Sequence, residues 1–175
     1  MMSATLVGGP LPTFDLHQTR ATKGAYGMNL MRLTTFSDYS LRVLIYLAAA
    51  PEGRSTIADI ARAFGISEHH LVKVVHLLGR QGFLLNTRGR NGGVELARPA
   101  AEINVGEVVR LTEGGDVPAE CFDMETNACV LAGGCGLQRI LKEAVEKFYA
   151  VLGRYSVADL RASPARLSRL LYRAR

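Results

Sequence analysis

The sequence predicts a mainly α-helical protein carrying one small β-hairpin. Three observations support that class. Apolar residues return every three or four positions through several separate stretches. A short turn containing glycine joins two of those stretches. A basic, glycine-rich hairpin follows directly after them.

Ser37 to Ala50 reads as the first helix. Ser37 can cap it, and Asp38 then falls in the first turn, where its charge suits the free N–H groups. Leu41, Leu44, Ile45 and Ala48 share one face, and Pro51 with Gly53 ends the helix. Thr56 to Phe64 is a second, short helix opened by the capping pair Thr56 and Asp59. Its inward residues are Ile57, Ile60 and Ala61, and Gly65 stops it. Ser67 caps a third helix reaching to about Gln81. The second and third helices therefore make a helix-turn-helix. The third sorts into an apolar side, Leu71, Val74, Val75 and Leu78, and a polar side, His69, Lys73, His76 and Arg80. A side rich in hydrogen-bonding groups beside a buried one is what a recognition helix needs in a major groove.

The hairpin runs through FLLNTRGRNGGVELA. Phe83, Leu84 and Leu85 form its first strand, and Val94 and Leu96 alternate with Glu95 in the second. Between them, Arg88, Arg90 and Asn91 sit among Gly89, Gly92 and Gly93. A basic tip after a helix-turn-helix reads as the wing of a winged helix, placed to touch phosphates or a narrow minor groove. The fold class is thus mainly α with a small β wing: a winged helix-turn-helix over residues 31–115, followed by a long C-terminal dimerisation helix. Expected contacts to double-stranded operator DNA are Ser67, His69, His70 and Lys73 from the helix, with Arg88, Arg90 and Asn91 from the wing. The formal charge of +5, from 21 Lys and Arg against 16 Asp and Glu, permits such a partner.

Asn104 and Glu107 open a further short helix, NVGEVVRL, closed by Gly114 and Gly115. A loop over 116–136 follows, and then a long helix from Gly136 to Leu152. Leu137, Leu141, Ala144, Phe148 and Val151 step by four and three along it, a seam about two heptads long. A reader of palindromic sites needs a two-fold partner, so this helix is assigned to a homodimer interface. Ser156 and Asp159 are expected to cap a short last helix within 137–160, leaving 161–175 as a basic tail that can be disordered. Residues 1–30, which include His17, show no clear period and read as an extension, with Met28 and Met31 as candidate starts. No run of eighteen apolar residues exists, so no membrane partner is expected; a cytoplasmic location is expected.

All 3 cysteines, Cys121, Cys129 and Cys135, lie in the loop, spaced C-x7-C-x5-C. An odd count argues against a paired disulfide framework, and the lack of a CxxC pair argues against common zinc knuckles. Several thiols on one compact loop suit a soft metal centre, an iron–sulfur cluster above all. Gly133, Gly134 and Gly136 let the backbone wrap closely, whereas Glu120, Asp123 and Glu125 suit an anionic cluster only when facing water. A thiol–disulfide switch, a zinc site completed from elsewhere and plain loop cysteines stay open as alternatives.

MRLTTFSDYSLRVLIYLA, GISEHHLVKVVHLLGRQGF, RGRNGGVELARP and ECFDMETNACVLAGGCGLQRIL together resemble the Rrf2 family of bacterial transcription regulators, and within it a nitric-oxide-sensing branch. An iron-responsive rhizobial branch shares much of the cysteine spacing. The resemblance implies a homodimer of winged-helix subunits that represses transcription, with nitric oxide as the signal relieving repression of detoxification genes. It implies an iron–sulfur cluster, [4Fe-4S] or [2Fe-2S], on Cys121, Cys129 and Cys135. It also implies a fourth, carboxylate ligand, which matches Asp38, supplied from the partner subunit. Such members often carry Asn where this chain has His69, a departure that bears on operator contacts alone. An enzyme is not expected: the sequence holds no nucleotide-binding glycine motif and no acid–base constellation.

Overall fold

A computed structural model describes residues 32–50, 52–87, 89, 92–114, 119–123, 127–131, 134–161 and 163–172. All of them but Arg32 belong to one compact unit, Leu33–Arg175. Helix α1 spans Thr35–Ala49, two residues earlier at its start than the sequence suggests. Thr34, not Ser37, caps it: Thr34 Oγ1 accepts the Ser37 N–H at 3.2 Å. In TTFSD both residues have capping chemistry, but Ser37 is fully buried and its hydroxyl lies 2.7 Å from that of Thr112. The inner partner wins Ser37 for the helix body. Asp38 remains in the first turn.

The apolar side of α1 is also wider than one stripe. Val43, Leu44, Tyr46 and Leu47 are buried, whereas Leu41, Ile45 and Ala48 are half-buried. A helix touched on several sides buries most of its circumference, and α1 is such a helix.

Strand β1, Arg54–Ser55, precedes helix α2, Ile57–Phe64. Thr56 caps α2 by accepting the Asp59 N–H at 3.1 Å, and Gly65 closes it in the left-handed region at φ 63°. Helix α3, Glu68–Arg80, is capped by Ser67 and buries Leu71, Val74, Val75 and Leu78. Strands β2, Leu84–Thr87, and β3, Gly93–Leu96, pair antiparallel from Leu84↔Leu96 to Thr87↔Gly93. Strand β1 was not legible beforehand, because two residues carry no period. It adds to the free edge of β3 at Arg54↔Glu95, making the order β1-β3-β2. Arg54 and Glu95 also pair through their side chains at 3.0 Å.

The main core joins α1, α2, α3 and the sheet through Leu44, Leu47, Ile60, Leu71, Leu78, Phe83 and Val94. Helix α4, Val105–Thr112, and helix α5, Gly136–Leu152, share a second cluster of Val105, Val109 and Tyr149. Asn104 fixes both helices. Its Oδ1 caps α4 by accepting the Glu107 N–H, and its Nδ2 donates to the Gly153 carbonyl at 2.7 Å. Gly106 permits this approach, since a Cβ there would sit 2.9 Å from the Gly153 nitrogen.

Ser156 and Asp159 do not begin a helix. The Asp159 carboxylate accepts both the Ser156 N–H and hydroxyl at 2.7 Å, which closes a turn and holds its pKa below the usual value. The last helix, α6, starts later, at Pro164–Tyr172, inside the stretch expected to be a basic tail. Tyr172 packs its ring 4.8 Å from that of Tyr46 and donates its hydroxyl to the Tyr46 carbonyl. Among the described residues no helix is long and apolar enough to cross a membrane.

Gly93 tests how tightly β1 is held. A Cβ there would lie 2.8 Å from Arg54 Cγ and 3.0 Å from the Ser55 carbonyl oxygen. Gly93→Ala is expected to destabilise the fold by about 1–3 kcal/mol through overpacking. Urea denaturation followed by circular dichroism should show a lowered midpoint.

Candidate nucleic-acid interface and cysteine loop

The turn Gly65–Ser67 sets α3 against α2, anchored by the buried Ile66 side chain. With its apolar side committed to the core, α3 turns His69, Lys73, His76 and Arg80 to solvent. These four form one continuous polar strip. Two expected contacts have additional ties. The Ser67 hydroxyl accepts the His70 N–H at 3.4 Å as the helix cap. The exposed His70 ring leans towards α1, 6.3 Å from Tyr39, off the centre of the strip. The expected wing contacts Arg88, Arg90 and Asn91 lie outside the described residues. The hairpin tip beside them turns through Gly89, at φ 108°, whose carbonyl accepts the Gly92 N–H at 2.9 Å.

The cysteine loop connects α4 to α5. Cys121 sits in a 3-10 turn, Glu120–Phe122, and its carbonyl accepts from Gln138 Nε2 at 2.8 Å, which ties the turn to the start of α5. The Cys129 N–H donates to Asn127 Oδ1 at 3.0 Å. Cys135 occupies the N-cap position of α5 but makes no side-chain cap bond. All three thiols are free and half-buried. As donors they fit a soft metal centre: three unpaired sulfurs on one loop, one at the electropositive end of a helix. Among the described residues, no group of three or more His, Cys, Asp or Glu side chains converges on one point that could hold a metal ion.

Asp38 stands apart from the loop residues in chain order and is paired within α1. Its Oδ1 accepts from Arg42 Nε at 3.1 Å, and its Oδ2 lies 2.8 Å from Arg42 Nη2. The pair is exposed, 44% and 41%, so it contributes less than about 1 kcal/mol and Arg42 can release the carboxylate at small cost.

A polar network that sequence reasoning missed ties α1 to α4. Glu113 Oε1 accepts from the Thr34 N–H at 2.8 Å and from the Thr34 hydroxyl at 3.1 Å. Thr34 Oγ1 lies 3.0 Å from Ser37 Oγ, which lies 2.7 Å from Thr112 Oγ1. The start of α1 is thereby fastened to the end of α4, where the chain departs for the cysteine loop. Thr112, a polar residue on the apolar side of its helix, was the available clue.

Residues 33–163 match the Rrf2 family model, described as an iron-dependent transcriptional regulator. The chain belongs to the Rrf2 family. It is 45% identical over 142 residues to the HTH-type transcriptional regulator NsrR of Bacillus subtilis strain 168, covering 81% of this chain and 97% of that one. Against the NsrR of Geobacillus kaustophilus the identity is 49%, with the same coverage. Protein aau3 of Rhizobium meliloti is 45% identical, over 74% of this chain and 84% of its own. Among solved structures, CymR, the global cysteine regulator of B. subtilis, superposes with a TM-score of 0.62 at 27% identity, covering 76% of this chain and 98% of CymR. The T. potens IscR gives 0.61 at 26%, covering 79% and 92%. This Rrf2 chain is a winged-helix, DNA-binding transcriptional regulator.

Lys73, exposed at the centre of the α3 strip, suits a phosphate contact. Lys73→Ala should weaken binding to all duplexes alike and flatten the slope of log affinity against log salt by about one unit. Fluorescence anisotropy over a salt series would measure both.

Proposed function

We propose that this Rrf2 regulator is a homodimeric repressor that responds to nitric oxide through an iron–sulfur cluster, [4Fe-4S] or [2Fe-2S]. The observation that carries the reading is the trio of free thiols on one loop, in a chain 49% identical to the NsrR of Geobacillus kaustophilus. Cys121, Cys129 and Cys135 would hold the cluster, and Asp38 of the partner subunit would complete it. When bound, the group supplies irons reactive towards nitric oxide, the oxygen-ligated one being the more labile.

The chain's own residues support the rest of the device. Leu137, Ile140 and Val151 leave α5 58%, 55% and 44% exposed, an apolar seam suited to a second copy. Ser67, His69, His70 and Lys73 would meet the major groove, with Arg88, Arg90 and Asn91 on the adjoining backbone or minor groove. The Thr34–Ser37–Thr112–Glu113 network would pass the state of the loop to α1 and so to the head. Only a difference in affinity can switch such a system, and about 4 kcal/mol corresponds to a thousandfold weaker grip on DNA. A chain acting on cytoplasmic operators in this way needs no catalytic centre.

A second reading is favoured by the iron-dependent description of the family: a regulator answering to iron supply on the same scaffold. Anaerobic protein titrated with nitric oxide, or depleted of iron by a chelator, separates the two when operator binding is followed in parallel. Nitric oxide should lower specific affinity at unchanged iron content. Cys129→Ala should remove visible absorption and tight operator binding while the far-ultraviolet spectrum stays helical. Asp38→Ala should alter the rate of nitrosylation, and an unchanged rate would return Asp38 to its pairing with Arg42 alone.

A further inference from the structure

One apolar side chain of α3 stays outside the core. Leu71, Val74, Val75 and Leu78 are buried and Leu77 is half-buried, yet Val72 is 50% exposed. Valine loses rotamer freedom in a helix, so an exposed helical valine is worse for stability than lysine or glutamine would be. Val72 lies one turn after Glu68 and one turn before His76, on the flank of the polar strip that borders the hairpin. There it lines a groove with Ile57, His76, Asn86 and Thr87. Its immediate surface neighbours, Glu68, His69, Lys73 and His76, are all exposed polar groups.

A double helix offers few apolar groups to such a side chain. On the major-groove edges of the bases the apolar one is the thymine 5-methyl. We propose that Val72 is a specificity-determining residue that packs on a thymine methyl in each half-site of the operator. The inference rests on the DNA-binding reading and adds a base preference to it. The polar strip can select positions through hydrogen bonds to base edges, while Val72 favours thymine over cytosine by the methyl group alone.

The experiment uses the full chain, purified without air. A preferred duplex is first selected from random sequence, and each thymine in it is then replaced singly by uracil, which removes only the methyl. Loss of one buried methyl corresponds to about a fourfold fall in affinity. At least one thymine per half-site should show a fall of that size with the wild-type protein, and Val72→Ala should largely erase it at that same position. Because Val72 is half exposed and alanine is the better helix former, the variant should melt at or above the wild-type temperature, which separates a lost contact from a lost fold. If a duplex is selected but no thymine couples to Val72, the contact is overturned while operator binding stands. If no sequence is selected at all, operator recognition fails, and the contact with it.

Discussion

Helix α1 is the wall that every other layer leans on. It packs against α3, α4, α6 and β3, which is why Val43, Leu44, Tyr46 and Leu47 are buried around so much of its circumference. The recognition helix takes its angle from α1 and α2 together. The second apolar cluster, where α4 meets α5, also reaches α1 through Leu41. A shift of α1 could not be absorbed locally, because close-packed interiors pass displacement on rather than yielding to it.

The hydroxyl pair Ser37–Thr112 makes this wall directional. Ser37 is fully buried and Thr112 nearly so, and each hydroxyl has partners: Thr112 also donates back to the Val108 carbonyl at 2.9 Å. Leaving either oxygen without a partner would cost about 1–3 kcal/mol, so the two helices favour one register. That register binds the first turn of α1 to the exact end of α4 from which the cysteine loop departs. Helix α1 and the segment that leads to the cysteine loop therefore share one direct polar link.

Much of this was legible in the chain. Helical period and capping residues placed α2, α3, α4 and α5, and Gly136–Leu152 agrees at both ends. The core side of α3 was read residue by residue. What escaped had short or competing signals. TTFSD contains two capping hydroxyls, and only tertiary burial decides between them. β1 is too short to show alternation. Ser156 and Asp159 satisfy one another in a turn, a use of the same pair that a capping motif does not distinguish. The segment after Arg161 looked basic and patternless, yet Leu171 and Tyr172 pack against the main core. The three cysteines stood out by spacing and chemistry, and all three thiols are free and half-buried on the loop.

The docking of α6 has a consequence for how the protein is made. Tyr46 is 2% exposed, and part of its cover is Tyr172, which sits 126 positions further along the chain. Arg161 likewise caps the end of α1 by donating to the Ala48 carbonyl at 2.9 Å. While the ribosome is still translating the cysteine loop, the central helix lacks this lining and an aromatic patch faces water. Contacts spanning so much sequence close slowly. The head thus acquires its finished hydrophobic surface only after the cysteine loop has emerged.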